Sequence, residues 1–452
     1  MTSAIYKARR TQSIAARRED DSAVWTWPYS CLALYMLCYY FSPEDYFPAL
    51  ESIPFYKLLA GAALAFTVAR NVRKGRSWLT LPAEMRWLVP LLLLMLVNIV
   101  FSNWPGGSAE IFHGRVVKTA LLAILIANAI ETARQYRYML ILMVASGAFL
   151  GLYVINSYFE GNITRYGRPL GYGYKEFGNP NDLALGLLIL MPFAYILLRG
   201  QKDFFARAAY ACALVALVAG VLVTQSRMGM LGLILLAAVW FYALGKSNIL
   251  KLMLAMTVVG ATVAVTVSAF PALGNRFASI FDASRDPNQS RGYRLQHMWD
   301  GVLIIADRPL IGVGMGQSAE VIGRKHFFGA GHWERIHSLY VEFAAELGIP
   351  ALMVFLALLV GVMRQLAKVS GSLENEPGCA RLVPYLQSAR VSLYSFAIVA
   401  TFAPASYSWV PYILIGLSCA ALAITRRNAT SQPENAFAER DRVPAARVLI
   451  GN

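Results

Sequence analysis

Histidine is the side chain that most readily takes up a proton near neutral pH, and His337 stands where a polar stretch gives way to an apolar one, in Arg335-Ile336-His337-Ser338-Leu339-Tyr340. Next to cations an imidazole stays neutral and can accept a proton, which is general-base chemistry; an ordinary interfacial histidine is the plainer reading of the same position. Glu342 and Glu346 follow along the same run. Other residues have the chemistry of an anion grip. Arg227, in Thr224-Gln225-Ser226-Arg227, lies between two apolar runs with almost no connection. Arg165, Arg168 and Lys175 crowd one short stretch, and Arg291 and Arg294 belong to a longer one. An arginine at the end of an apolar run can snorkel to an interface. Several cations gathered on one pocket would instead suit a pyrophosphate, because a guanidinium donates bidentately and keeps its charge.

Other chemistries lack their residues. There is no paired-carboxylate metal motif, no HExxH, no phosphate-binding Walker loop and no GxSxG elbow. Gly312-Val313-Gly314-Met315-Gly316 follows no strand, which argues against a nucleotide site. Of His113, His297, His326 and His332, three are expected to be solvated. Cys31, Cys38, Cys212, Cys379 and Cys419 form no CxxC and read as small packing residues. The expectation is chemistry without metal, nucleotide or other cofactor.

The elements that must position these residues are apolar. Of 452 residues 57% are hydrophobic and 15% charged, with a mean hydropathy of +0.49. A soluble enzyme would need more charge on its outer faces, roughly 25%. Apolar runs recur near 24–41, 55–69, 87–102, 115–130, 138–158, 182–198, 205–224, 228–244, 249–270, 338–363, 388–404 and 408–424. Each approaches the ~20 residues that cross a bilayer, so the fold class is an all-α polytopic membrane protein with about twelve transmembrane helices. Gly61-Ala62-Ala63 and Gly260-Ala261 suggest close helix packing.

The formal charge of +15 would suggest nucleic acid in a soluble protein; in a membrane it is the cytoplasmic bias. Arg70, Arg73, Lys74 and Arg76 follow the second run, Arg134 and Arg137 the fourth, Arg199 and Lys202 the sixth. Ser42–Pro54, after the first, has three acids and no cation. Both termini are therefore expected inside. The domains read as a tail at 1–23, a bundle at 24–270 with an outer loop at 159–181, a large outer loop at 271–337, three spans at 338–424 and a disordered tail at 425–452. Within the large loop, Arg291–Ala306 carries an apolar stripe of Leu295, Met298, Trp299, Val302, Leu303 and Ile304, the pattern of an amphipathic helix on the outer membrane surface.

Several segments, in order, resemble the O-antigen ligase/polymerase superfamily of bacterial envelope proteins, and most nearly its O-antigen ligases. They are Gly178-Asn179-Pro180-Asn181, Ser226-Arg227, Asp307-Arg308-Pro309-Leu310-Ile311-Gly312-Val313-Gly314, His337-Ser338-Leu339-Tyr340 and Glu346-Leu347-Gly348-Ile349-Pro350. The resemblance covers about residues 160–365 at the level of motifs. It implies a metal-independent, inverting glycosyltransferase on the periplasmic face of the inner membrane, completing lipopolysaccharide. Polysaccharide would pass from undecaprenyl pyrophosphate to lipid A–core. His337 would be the base, and Arg227 with Arg291 or Arg294 would hold the pyrophosphate, Arg165, Arg168 and Lys175 closing from the other loop. Where the family usually has Asn after the histidine, this chain has Ser338. A polymerase or a protein O-oligosaccharyltransferase of the superfamily shares these motifs; a membrane transporter is the reading from another class, and no repeat of the two halves supports it.

Overall fold

The computed structural model describes residues 24–50, 52–164, 167–173, 177–244, 290–326, 335–373 and 381–440, with isolated helical positions between 253 and 268; within these stretches it omits the side chains of 48, 240–244, 290–291, 325–326 and 429–440. Apart from one isolated bridge between Ile163 and Pro169, the described residues contain no β-structure. The ninth apolar run, 249–270, and the first part of the large loop lie almost entirely outside the described residues, as do Arg165, Lys175, His332 and Cys379.

The other expected runs are helical. In chain order they are α1 (Trp27–Phe41), α2 (Phe55–Arg73), α3 (Leu88–Phe101), α4 (Pro105–Ile111), α5 (Val117–Ala129), α6 (Ala133–Phe159), α7 (Pro180–Arg199), α8 (Phe204–Val223) and α9 (Arg227–Leu244). They continue with α10 (Ser290–Asp307), α11 (Ser318–His326), α12 (Leu339–Leu347), α13 (Ile349–Leu373), α14 (Val383–Val399) and α15 (Trp409–Arg440). A π-turn, Phe112–Val116, joins α4 to α5. Local sequence sets the ends: a capping box of Thr132 and Gln135 opens α6, and Asp203 caps α8 by accepting from the Ala206 amide. Among the described residues six helices are long and apolar enough to cross a membrane: Ala83–Phe101, Ala133–Phe159, Pro180–Arg199, Phe204–Val223, Ile349–Leu373 and Trp409–Asn428. This is a polytopic membrane protein.

Three expectations need correcting. The run 338–363 is not one helix. Gly348 takes φ +86° and separates α12 from α13, and a side chain there would run into the Leu310 carbonyl. Close helix packing is not found at Gly61 or Gly260, which have nothing within 4 Å of where a Cβ would stand. It lies where α6 meets α8: a Cβ on Gly220 would come 2.6 Å from the Gly151 Cα, and one on Gly151 would come 2.5 Å from the Ala216 carbonyl oxygen. Small residues admit close packing only where the partner backbone arrives. Finally, α15 runs on to Arg440, through the first part of the tail expected to be disordered.

The connections sort to two ends of the bundle. At one end Glu131 is ringed by Lys74 at 2.8 Å, Arg76 at 2.8 Å, Arg70 at 3.4 Å and Arg427 at 3.8 Å, with Arg426 on Glu84 at 2.5 Å beside them. At the other end lie the described loop residues 102–104, 160–164, 167–173, 177–181, 224–227, 308–318, 335–338 and 403–408, with ties such as the Asn103 amide to the Val313 carbonyl at 2.9 Å and Arg168 to the Thr224 carbonyl at 3.1 Å. A small apolar core of Ile304, Val313, Ile322, Ile336 and Ala345 sits there, apart from the main core of the bundle.

Candidate active site

One half of the site is a corner between α7, α8 and α9. Asn179 caps α7 by accepting from the Asn181 amide at 2.8 Å. The Asn181 side-chain oxygen then accepts from Ser226 Oγ at 2.9 Å and from Arg168 Nη2 at 3.1 Å. Arg168 Nε donates to the Thr224 carbonyl at 3.1 Å, so this arginine closes from the outer loop onto the turn that carries Arg227. Gln225 makes that turn with φ +53°, and Ser226 Oγ accepts from the Gly229 amide at 3.2 Å. Arg227 is the first residue of α9 and only 9% exposed. Two helix N-termini and two arginines thus meet in one place, an arrangement that favours an anion.

The other half is built around α12. Ser338 caps it, and immediately before the cap stands His337. Arg335 places its guanidinium on Glu342, Nε to Oε1 at 2.7 Å and Nη2 to Oε2 at 3.0 Å. Glu342 also accepts from Ser406 Oγ at 2.6 Å and is fully buried. His337 is half-buried, and its Nδ1 is enclosed without a hydrogen-bond partner among the described residues. Burial pulls its pKa down from the ordinary 6.5 to about 3; Arg294 adds to this, the Arg335 backbone opposes it, and His297 and the Arg335 charge lower it further. Burial lowers the pKa of Arg335, but the Glu342 carboxylate outweighs burial and raises it above the ordinary arginine value.

Arg294 and His297 come from α10, which packs on α12 through Gly301, where a Cβ would meet Val341 at 2.7 Å and Ile336 at 2.8 Å. His297 (3% exposed) and Asp300 are buried on that side, whereas Trp299 (63% exposed), Leu295, Val302 and Leu303 face outward. The expected apolar stripe is therefore split: Leu295, Trp299, Val302 and Leu303 lie outside, Met298 and Ile304 pack inward, and His297 and Asp300 of the polar side are turned inward with them. His297 was missed because a polar face is assumed to meet water. The signal was present in the spacing of Arg294, His297, Gly301 and Ile304, one face of a helix.

A strap formed by 308–318 ties this half down. Glu346 accepts from the Gly316 amide at 2.7 Å, from Ser318 Oγ at 2.6 Å and from Tyr407 Oη at 2.6 Å. Asn98, near the end of α3, donates to the carbonyls of Ile311 at 2.7 Å and Glu346 at 3.0 Å. Arg308 reaches Asn103 at 2.7 Å. Residues 406–409 then join the two halves: Ser406 and Tyr407 bond the acids of α12, while the Trp409 ring packs edge-on against Phe177, next to the α7 cap, at 5.6 Å.

Of the seven expected site residues, Arg168 and Arg227 come together in the first half, and His337 and Arg294 in the second. Arg291 lies on α10 with its side chain undescribed, and Arg165 and Lys175 lie outside the described residues. Among the described residues no three His, Cys, Asp or Glu side chains gather as a metal site would need. A separate apolar cavity of about 560 Å³ opens between α1, α2 and α5, lined by Leu64, Leu121 and Leu125, with Lys57 and Lys118 also on its wall.

The family model Wzy_C, described as O-Antigen ligase, matches residues 212–356, about a third of the chain. No curated protein matches. The matched segment spans Arg227, Arg294, His337, Glu342 and Glu346, and so takes in the N-terminus of α9 and the whole of α12; the match is consistent with the O-antigen ligase/polymerase superfamily.

Proposed function

We propose that the protein is an O-antigen ligase that moves polysaccharide from undecaprenyl pyrophosphate to lipid A–core on the periplasmic face of the inner membrane. The observation that carries this reading is a neutral, half-buried His337 within the field of Arg294, with the 406–409 turn linking α12, which follows it, to Phe177 beside the corner that holds Arg168 and Arg227. In the proposed step an acceptor sugar hydroxyl attacks the anomeric carbon of the donor. The bond from that carbon to the pyrophosphate oxygen breaks, the hydroxyl proton passes to the imidazole, and the configuration inverts. The leaving pyrophosphate needs charge stabilisation rather than a proton, and Arg168, Arg227 and Arg294, with Arg291, Arg165 and Lys175 as further candidates, are of the right kind. No step calls for a metal or a cofactor.

A histidine pulled to about 3 is ready to accept but is a weak base. Bound pyrophosphate would offset the field of Arg294 and raise its basicity when the donor is in place. The apolar cavity between α1, α2 and α5 has the size of a ligand pocket and suits a lipid tail. Twelve spans, with the site end periplasmic and the Glu131 end and both termini cytoplasmic, complete the proposal; the cation ring on Glu131 supports that orientation.

The test is transfer of glycan from the lipid pyrophosphate to purified lipid A–core, with EDTA present. His337→Ala should fall about 10²–10⁴-fold below wild type. Full activity in that variant would remove the base. Lengthening of the lipid-linked glycan with no transfer to lipid A–core would make the protein a polymerase of the same superfamily.

A further inference from the structure

We propose that Glu342 is a positioning residue for His337, acting through Arg335 and held in turn by Ser406; this rests on His337 being the base. A base that takes a proton on one ring nitrogen is commonly oriented by an acceptor at the other. Here Nδ1 is buried and meets no side-chain acceptor among the described residues; the hydrogen bond that acts on the ring is with the Arg335 backbone. The ring must therefore be aimed by the backbone that carries it, and that backbone is fastened on both sides. One residue before His337, Ile336 is completely buried in the small core. One residue after it, the Ser338 hydroxyl caps α12, and the Ser338 carbonyl accepts from the Glu342 amide at 2.8 Å. Two residues before it, both ends of the guanidinium fork of Arg335 engage Glu342.

The two oxygens of Glu342 are committed to this fastening. One takes Arg335 Nε, and the other takes both Arg335 Nη2 and Ser406 Oγ. Lysine could neutralise the acid but could not reproduce a two-point fork, which fixes direction as well as distance. Stability alone explains the pair poorly. Glu342 is fully buried while the Arg335 side chain is 40% exposed, and an ion pair with a buried partner is often no better for stability than a neutral pair of similar volume, whereas it holds geometry well. Its place two residues from the proposed base gives that geometry a use, because a misplacement of about 1 Å can cost about 10²-fold in rate.

The experiment compares Arg335→Gln/Glu342→Gln, Arg335→Lys, Ser406→Ala and His337→Ala in the full-length membrane-embedded protein, with kcat and both KM values measured alongside the thermal midpoint. The double variant removes both charges together and leaves neither one buried alone. It is expected to lower kcat about 10–100-fold, with KM for donor and acceptor within about threefold and a midpoint close to wild type. Arg335→Lys should lose nearly as much, although it keeps the charge. Ser406→Ala keeps the ion pair and should fold; a drop in kcat of about threefold to tenfold at unchanged KM is expected from it. Wild-type kcat in Arg335→Lys and Ser406→Ala overturns the proposal even if the double variant fails to fold, as does a double variant that folds and turns over normally. If His337→Ala keeps full activity, the base reading fails first and this inference with it. If His337→Ala is inactive while the other variants are normal, the base stands and only the positioning role falls.

Discussion

At the scale of single residues, the depressed pKa of His337 makes two measurements informative. In the free protein the ring is neutral down to about pH 3, so kcat/KM should show no acid limb from His337 between about pH 5 and 8. In the proposed donor complex pyrophosphate would offset the Arg294 charge, and an acid limb in kcat should then appear at higher pH than in kcat/KM. Coincident limbs in the two profiles would argue against the bound anion acting on the ring. The same shift has a stability sign. Unfolded His337 titrates near its ordinary 6.5 while the folded ring waits until about 3, so the unfolded chain binds more protons in between. The contribution is complete above 6.5 and is lost as the pH falls toward 3. Part of this scale was legible in advance. Arg227 and His337 declared themselves by standing at the edges of apolar runs. Asn181 and Glu342 did not, since one reads as a cap and the other as one more polar residue in a span, and nothing local says that each organises an arginine.

At the scale of elements, the break between α12 and α13 is the departure that matters. Continuous hydropathy from 338 to 363 reads as one span, because hydropathy reports where a chain is apolar and not where it turns. The turn is written in Gly348 alone, whose φ of +86° and closeness to the Leu310 backbone exclude a side chain. Gly348→Ala is expected to destabilise by more than about 3 kcal/mol, at the upper end for one substitution. Thermal unfolding in detergent checks this, and limited proteolysis should find the 308–318 strap released, since the amide of Ile349 donates to Pro309 at 2.8 Å. A midpoint equal to wild type would mean that the break can be straightened without cost. The helix α10 teaches the converse. Its periodicity was readable, but which side faces inward depends on whether water or lipid lies outside, a fact about the surroundings rather than about the residues.

At the scale of the whole molecule, alternation of charge along the chain anticipated how the connections sort. The cations of residues 70–76 and Arg426 and Arg427 of α15 gather around Glu131 and Glu84, and the loops with the candidate site gather at the far end. In a cysteine-free background, Glu160→Cys should react with an impermeant maleimide on spheroplasts, and Ser77→Cys only after the membrane is opened. The reverse pattern would invert the proposed orientation. What alternation could not supply was the path between the two halves of the site. That path is residues 406–409, where Ser406 and Tyr407 hold the acids of α12 and, two residues on, Trp409 leans on the ring beside the α7 cap. So short a segment acts as a fulcrum: tilt it, and the anion corner and the histidine move together. Unlike the loss of the single Ser406 hydroxyl, kinetic losses from a substitution that shifts the turn at Tyr407 would not divide cleanly between binding and turnover, and natural variation there would retune grip and chemistry as a single trait.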